Sequence, residues 1–248
     1  MKVFSVCGIS QSGKTTTIEH IIRELTARGY KVGSVKEIHF EAFAIDPDPS
    51  SNTARHRRAG SALVTARGLR ETDVLFPSML DTRKILSFYE GFDYVALEGV
   101  SDIAVPTIVT AHGRDDLERK WSERAFCVSG RIADELTEYK GFPAISALTG
   151  AGALTDLIEE KVYELLPDFA PECCGACGHS CRDLGAKILR GEAKRSDCAA
   201  DREVELFIGG KRIAMVPFVQ NVLRGTLLGV ARELEGYAEG AEIEVRFR

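Results

Sequence analysis

A glycine-rich segment near the N-terminus has the spacing of a phosphate-binding loop. Residues 8–15 read Gly-Ile-Ser-Gln-Ser-Gly-Lys-Thr and fit the pattern G-x-x-x-x-G-K-[ST]. The glycines allow backbone N–H groups to surround phosphate oxygens, Lys14 can bring a positive charge to the β- and γ-phosphates, and Thr15 offers a hydroxyl to Mg²⁺. The pattern therefore predicts binding of a magnesium nucleoside triphosphate. The expected contacts are Gly8, Ser10, Gln11, Ser12, Gly13, Lys14, Thr15 and Thr16.

A carboxylate is expected near this loop, at the end of a neighbouring strand. The apolar run Asp93–Leu97 is followed by Glu98, and open α/β sheets bind ligands at the carboxyl ends of their strands. Glu98 is therefore predicted to act with Lys14 in catalysis. It is also expected at Mg²⁺ beside Thr15, as a ligand or by orienting the attacking water. Asp46, in the loop after the second strand, is a weaker Mg²⁺ candidate. The sequence has no Asn-Lys-x-Asp box, so GTP and ATP remain alternatives.

A basic segment follows the second predicted strand. Between Pro49 and Arg70 the sequence has no acidic residue, although the chain as a whole is acidic. The segment carries Arg55, Arg57, Arg58, Arg67 and Arg70. Guanidinium groups bind phosphates and carboxylates through paired N–H donors. The segment therefore indicates contacts to the nucleotide phosphates or a site for a second anionic ligand, with a solvated basic helix face as the alternative.

Five of the seven cysteines lie close together in the C-terminal third of the chain. Four have the spacing C-x2-C-x3-C-x16-C, and they are Cys174, Cys177, Cys181 and Cys198. Four thiolates can hold a [4Fe–4S] cluster or a structural Zn²⁺ ion. Three close cysteines with a distant fourth favour the cluster, and the segment is similar to the small [4Fe–4S] domain of electron-transfer subunits. Cys7 and Cys127 lie in apolar runs and are expected to be core thiols.

Composition excludes several classes of protein. The chain has 248 residues, a net charge of −5 and 44% hydrophobic residues, which is too much apolar surface for a mostly disordered chain. It has no run of 18 apolar residues, so no membrane-spanning helix is predicted. The mild negative charge disfavours general nucleic-acid binding. The odd cysteine count and an N-terminus unlike a signal peptide lead us to expect a reducing, cytoplasmic location.

The candidate residues need a sheet and helices to position them. Apolar runs alternate with helical patterns over residues 1–166, which predicts an α/β domain of the P-loop NTPase class, with a mostly parallel sheet and helices on both faces. The strands are expected at residues 3–7, 31–36, 61–65, 93–97, 107–110, 125–128 and 144–146, with helices at 14–28, 84–89 and 153–166. The rest is expected to form a small α+β iron–sulfur module. It comprises the cysteine segment 171–200, with a helix at 182–190, and a hairpin, helix and last strand over 201–248.

The N-terminal two thirds of the chain resemble the MobB family of molybdopterin-guanine dinucleotide biosynthesis adaptor proteins. The resemblance rests on the phosphate loop, on residues 28–36, on Arg-His-Arg-Arg-Ala-Gly at 55–60 and on Leu-Glu-Gly-Val at 97–100 with Pro106 beyond. It implies a dimeric GTP-binding protein with weak GTPase activity. Such a protein would assist a molybdopterin nucleotidyltransferase, or another maturation partner of molybdenum or tungsten enzymes, in attaching a nucleotide to the pterin cofactor.

The resemblance also implies roles for individual residues. Lys14 and Thr15 would hold the phosphates and Mg²⁺, and Glu98 would lie at the metal. Arg55 and Arg58 would face the phosphate of the nucleotide or of the pterin. With the cysteine segment added, the sequence predicts a MobB-like GTPase fused to an iron–sulfur module. The alternatives are a nucleotide-gated electron carrier and a non-enzymatic adaptor with a structural zinc site.

Overall fold

The computed structural model divides the chain into two units, Met1–Leu165 and Leu166–Arg248. It describes residues 1–40, 43, 48–168, 177–198, 204, 206–208, 211–213, 215, 217–239 and 243–245. In chain order the N-terminal unit contains β1 (Lys2–Gly8), α1 (Lys14–Ala27), β2 (Val32–Lys36), α2 (Asn52–Arg58), β3 (Val64–Arg67), β4 (Thr72–Leu75), α3 (Thr82–Leu86), β5 (Tyr94–Glu98), β6 (Thr107–Thr110), α4 (Arg114–Lys120), β7 (Ala125–Ser129), β8 (Glu138–Tyr139), β9 (Phe142–Pro143) and α5 (Ala147–Lys161). The C-terminal unit contains α6 (Cys181–Arg190), β10 (Leu206–Ile208), β11 (Lys211–Ile213) and α7 (Pro217–Arg232).

Five parallel strands form the central sheet of the N-terminal unit, in the order β2–β5–β1–β6–β7. Strands β5 and β7 are buried along their whole length, as parallel strands are when helices cover both faces of a sheet. Val6 of β1 is aligned with Glu98 of β5, and Gly8 of β1 with Thr110 of β6. The three central strands therefore end at the same edge. The predicted α/β fold with a mostly parallel sheet is confirmed.

Apolar contacts hold α3 and α4 against this sheet. Leu86 of α3 packs in one cluster with Val95 and Leu97 of β5. Leu117 of α4 packs in another cluster with Val109 of β6. Full burial of such aliphatic side chains contributes about 1.5–3 kcal/mol each relative to exposure. The strands that anchor these helices are thus the ones that end beside the phosphate-binding loop.

Arg28 joins the end of α1 to α5. Its Nη1 lies 2.7 Å from both Asp156 Oδ1 and Glu159 Oε2, and its Nη2 donates to the Gly152 carbonyl oxygen at 3.1 Å. The hydrogen bond with Asp156, together with that to Glu159, raises the pKa of the Arg28 guanidinium. Because α1 begins directly after the phosphate-binding loop, this contact also helps to hold the helix that supports the loop.

Two strand predictions for the central sheet are wrong, because neither segment joins that sheet. The run at residues 61–65 leads into β3, which pairs with β4 in a separate antiparallel hairpin. The run at 144–146 is not a strand, because Ala144 makes an isolated bridge to Val128 and Ser146 is the residue before α5. That helix starts at Ala147, earlier than the predicted 153. Apolar runs this short fit strands, loops and helix starts alike, so periodicity does not separate them.

In the C-terminal unit, residues at both ends of α6 fix where this helix begins and ends. Before α6, the Ser180 hydroxyl accepts from the Asp183 N–H at 3.1 Å, and Gly191 ends the helix with a φ of +78°. The helix predicted at 182–190 and the hairpin, seen as β10 and β11, are confirmed. The predicted last strand at 242–247 lies partly outside the described residues, and 243–245 form no strand. None of the helices found in the described ranges is both long and apolar enough to cross a bilayer.

Two glycines allow the phosphate-binding loop to approach its neighbours closely. A Cβ atom on Gly8 would lie 2.2 Å from the carbonyl oxygen of Thr110, and one on Gly130 would lie 2.2 Å from the carbonyl oxygen of Ser12. Gly130 also has a φ of +71°, which residues with a side chain rarely adopt. The backbone of the loop therefore packs directly on the ends of β6 and β7.

We expect Gly130→Ala to lower the free energy of unfolding by about 2 kcal/mol or more, because the added methyl group overlaps the loop and the positive φ becomes strained. Gly152→Ala in α5 is the matched control, since its Cβ would meet nothing within 4 Å; it should leave stability unchanged or raise it by up to about 1 kcal/mol. Chemical denaturation followed by circular dichroism measures both. Equal midpoints for Gly130→Ala and the parent protein would contradict the close approach.

Candidate functional site

A cavity of about 1210 Å³ opens at the carboxyl edge of the central sheet. Its wall includes Gly8 at the end of β1, Lys36 at the end of β2 and Glu98 at the end of β5, with Gly130 just after β7. The loop between β1 and α1 contributes most of its own residues. This is the edge at which open α/β sheets bind their ligands, because the loops that follow the strands meet there.

The loop between β1 and α1 holds its shape through internal hydrogen bonds. Ser12 Oγ donates to the Ile9 carbonyl oxygen at 2.9 Å and lies 2.7 Å from Thr110 Oγ1. Gln11 and Gly13 have φ values of +58° and +101°, so the chain turns sharply into α1. Gly13 precedes α1 and offers it no side-chain cap. The first N–H groups of the helix are therefore left for a ligand, and the positive end of the helix dipole favours an anion.

Lys14 lies in the wall of the cavity with its ammonium group folded onto the loop. Its Nζ donates to the carbonyl oxygens of Gly8 at 3.2 Å and Ile9 at 2.5 Å. Burial lowers the pKa of Lys14, whereas the nearby Glu98 carboxylate raises it. A phosphate group in the loop would also favour the charged ammonium, since an adjacent anion stabilises it. The surroundings of Lys14 therefore suit a strongly anionic ligand.

Thr15, Lys36 and Glu98 form a hydrogen-bonded cluster in the same wall. Glu98 Oε1 accepts from Thr15 Oγ1 at 2.7 Å and from Lys36 Nζ at 2.5 Å. Only 8% of the Glu98 surface is exposed, so these contacts hold the carboxylate in one place. Hydroxyl and carboxylate oxygens are hard ligands of the kind that Mg²⁺ prefers. The pair formed by Thr15 and Glu98 therefore has the chemistry of a magnesium site.

Most residues that the phosphate-loop motif predicts do line the cavity. They are Gly8, Ser10, Gln11, Gly13, Lys14, Thr15 and Thr16, joined by Glu98. Ser12 is fully buried beneath the loop. Its hydroxyl bonds to Ile9 and Thr110 rather than facing the cavity, so its role is to hold the loop in shape.

Other predicted residues lie elsewhere. Arg55 and Arg58 are exposed on α2, and neither is part of the cavity wall. A run of basic residues shows which ligands a segment suits, but its position relative to the loop depends on the path of the chain between them. Their contact with a nucleotide therefore stays a prediction. Asp46 lies outside the described residues.

The cavity wall also contains charged residues that the motifs did not indicate. Arg131 and Asp134 lie in a 3₁₀ turn directly after β7, and residues 146–148 span the start of α5. Their position after a parallel strand is a signal that could have found them. A second group precedes β7, where that signal does not apply, and consists of Arg119, Lys120 and Arg124.

Of the two cysteines predicted as core thiols, Cys127 is one and Cys7 is not. Cys127 is completely buried in β7, and burial raises the pKa of its thiol to about 12. Cys7 is half-buried at the cavity wall, with its Sγ 3.8 Å from the Val100 carbonyl oxygen. The burial of Cys127 agrees with a packing role, whereas the prediction of a core thiol is wrong for Cys7 because the cavity exposes part of its side chain.

The predicted four-cysteine site is only partly visible. Cys174 lies outside the described residues, Cys177 and Cys181 are half-buried, and Cys198 is buried. Over the part of the chain that the structure describes, no group of three or more His, Cys, Asp or Glu side chains is arranged to hold a metal ion. The described cysteines therefore do not by themselves form a metal site.

Comparisons with known proteins agree on one family. Residues 3–125 match the family described as molybdopterin guanine dinucleotide synthesis protein B, MobB. A putative molybdopterin-guanine dinucleotide biosynthesis adapter protein of Methanocaldococcus jannaschii is 26% identical over 253 residues, covering 99% of this chain and 97% of the relative. A probable adapter protein of the same kind from Bacillus subtilis is 23% identical over 147 residues, covering 58% of this chain and 85% of the relative. The first alignment thus includes both units.

Solved structures share the fold of the N-terminal unit. A crystal structure of Bacillus subtilis MobB superposes with a TM-score of 0.52 and 21% identity, covering 63% of this chain and 98% of that one. A second structure of Bacillus subtilis MobB gives a TM-score of 0.52 and 22% identity, covering 66% and 99%. Identities this low are informative about the fold alone. Together with the match over residues 3–125, they show that the N-terminal unit has the fold of MobB and is similar in sequence to the MobB family.

Proposed function

We propose that this protein binds Mg²⁺·GTP, hydrolyses it slowly, and acts as an adapter in synthesis of the guanine dinucleotide form of a molybdenum or tungsten pterin cofactor. The observation that carries the nucleotide part is the convergence of Lys14, Thr15 and Glu98 on one cavity. The biosynthetic part is supported by relatives named as adapters of molybdopterin-guanine dinucleotide biosynthesis. The two parts can be tested separately.

The groups around the cavity match the parts of a magnesium triphosphate. The N–H groups of the loop and of the first turn of α1 would surround the phosphates. Lys14, which donates to the carbonyl oxygens of Gly8 and Ile9, would turn to the β- and γ-phosphates. Thr15 and Glu98 would hold Mg²⁺, directly or through water. Glu98 would also orient the water that attacks the γ-phosphate.

A carboxylate in the turn after β7 supports GTP rather than ATP. Asp134 lines the cavity close in sequence to Arg131, and the start of α5 lines it as well. Guanine presents two adjacent donors, its N1–H and its 2-amino group, which one carboxylate can accept together. Adenine has no N–H at N1 and no 2-amino group. We therefore place the base at this end of the cavity, with Asp134 as the residue that selects guanine.

The proposed adapter works as a homodimer in the reducing cytosol and cooperates with a molybdopterin nucleotidyltransferase or another enzyme-maturation partner. The adapter role is supported by the alignment with the Methanocaldococcus jannaschii adapter, which includes 99% of this chain. A nucleotide-gated electron carrier is the alternative function. It would require the C-terminal cysteines to hold a redox-active metal.

We propose in addition that Cys174, Cys177, Cys181 and Cys198 hold a [4Fe–4S] cluster, with Zn²⁺ as the alternative. The support is their spacing in the sequence and the burial of Cys198, which is 4% exposed. Cys198 is the ligand farthest from the other three in the sequence, and a buried thiol is shielded from solvent as a cluster ligand would be. The nucleotide chemistry above does not depend on this cluster.

Lys14→Ala should weaken Mg²⁺·GTP binding by about 10- to 100-fold, because hydrogen bonds from a charged group to phosphate are lost. Lys31→Ala, at an exposed lysine just before β2 and outside the cavity wall, is the charge-matched control. Glu98→Gln should weaken binding of Mg²⁺·GTP more than binding of GTP without magnesium. Isothermal titration calorimetry measures all three. Unchanged GTP affinity in Lys14→Ala would rule out the phosphate-loop site.

Asp134→Asn should lower GTP affinity by about tenfold or more and change ATP affinity by less than about threefold, because the amide cannot accept both guanine donors. Glu135→Gln removes a neighbouring exposed carboxylate that does not line the cavity and should change neither affinity. Competition binding against a fluorescent nucleotide gives the ratio. An equal loss for GTP and ATP in Asp134→Asn would contradict base selection by this residue.

Anaerobically purified full-length protein should be brown and contain about four iron atoms per chain. Cys177→Ser should remove the colour and the iron, whereas Cys173→Ser, at the adjacent cysteine outside the proposed set, should keep both. Visible absorption with iron and zinc analysis tests this. A colourless protein with one zinc per chain would replace the cluster by a structural metal, and protein without either metal would overturn the proposal.

A further inference from the structure

The cavity continues beyond the phosphate-binding loop toward the place where α4 ends. This region, called here the α4 end of the cavity, is lined by Val100, Ile103, Arg119, Lys120, Ser122 and Arg124. The whole cavity measures about 1210 Å³, whereas sites for one small molecule measure roughly 300–1,000 Å³. Space therefore remains beside a single bound nucleotide.

The α4 end carries positive charge that the nucleotide site does not use. Arg119 is paired with Asp116 on the same helix. Arg124 differs, because its Nε is buried and has no hydrogen-bond partner among the described residues. A buried donor on a charged group is costly to leave without an acceptor. If the guanidinium group turned toward the cavity that Arg124 lines, an anionic oxygen bound there would satisfy this donor.

Lys120 connects the α4 end electrostatically to the phosphate-binding loop. Lys14 and Lys120 both lie in the wall of this cavity, so their positive charges face the same space. Cations that repel one another in a net-acidic chain are stabilised when anions lie between and beside them.

The remaining wall of the α4 end suits the uncharged part of a ligand. Val100 and Ile103 are each 4% exposed and present aliphatic surface, while the Ser122 hydroxyl adds a neutral hydrogen-bonding group. A few convergent polar groups beside apolar surface are typical of sites for small organic molecules. The region thus combines anion recognition with room for a larger body.

We infer that the cavity holds two ligands at once: a nucleoside triphosphate at the phosphate-binding loop and a phosphate monoester at the α4 end, bound by Lys120 and Arg124. Only the identity of the first ligand rests on the proposed function. The second site needs no reaction between the two molecules. An alternative role for Arg119 and Lys120 is to interact with the negative end of the α4 dipole, and the experiment separates it from ligand binding.

Trp121 provides a built-in probe, because it is the single tryptophan of the chain and adjoins Lys120. Full-length protein is saturated with Mg²⁺ and a non-hydrolysable GTP analogue, then titrated with inorganic phosphate at constant ionic strength. We expect a saturable change in tryptophan fluorescence. Lys120→Gln and Arg124→Gln should each weaken phosphate binding about tenfold or more, and more than they weaken nucleotide binding. Arg114→Gln, at the exposed start of α4 and outside the cavity wall, is the charge-matched control.

Three results would overturn this inference. They are no saturable phosphate binding, displacement of the nucleotide by phosphate, and an equal loss of phosphate binding in Arg114→Gln, which would indicate a general effect of net charge. Unchanged phosphate binding in Lys120→Gln would leave Lys120 with the dipole role alone and would also contradict the inference. The same titration of Lys14→Ala without nucleotide tests the α4 end alone. Phosphate binding that persists there while GTP binding fails in the parent protein would refute the proposed function and leave the second site intact.

Discussion

The close contact between the phosphate-binding loop and the ends of β6 and β7 is the constraint on which the site depends. At Gly8 and Gly130 a methyl group would lie 2.2 Å from the carbonyl oxygens of Thr110 and Ser12. The Ser12 carbonyl oxygen also accepts the Arg131 N–H at 3.2 Å. The backbone of the loop contacts the backbone at the ends of β6 and β7 directly. The shape of the loop therefore depends on which strands lie beside β1. The N–H groups of α1 are thereby directed into the cavity before any ligand arrives.

The same strand order gathers the charged groups. β5 lies between β2 and β1, which brings Glu98, Lys36 and Thr15 within hydrogen-bonding distance although they come from three elements. Because Glu98 is almost completely buried, its carboxylate depends on these two partners for solvation. A metal ion that binds between Thr15 and Glu98 would take over part of that role. The carboxylate of Glu98 is therefore hydrogen-bonded without a metal, and its oxygen atoms are of the kind that Mg²⁺ prefers.

The two units show different kinds of agreement between sequence and structure. In the C-terminal unit, α6 follows from the capping serine and the terminal glycine, because these signals act within a few residues. In the N-terminal unit, the runs at 61–65 and 144–146 have the composition of strands, but the first leads into a hairpin with β4 and the second makes a single bridge to the edge strand β7. Strand formation depends on a partner, and the partner is chosen by the rest of the fold.

The sequence by itself determined the phosphate-binding loop, the parallel strands that end beside it, and the meeting of Thr15 with Glu98, because glycine spacing and strand ends have the same meaning in every open α/β sheet. Only the tertiary structure decided which other charges share the cavity. Arg55 and Arg58 have side chains suited to phosphate, but they lie on α2 and do not line the cavity. Asp134 and Arg124 line it although they are far from the loop in the sequence. Local patterns record what a side chain can bind, but its neighbours are set by the packing of helices and strands that are distant in sequence.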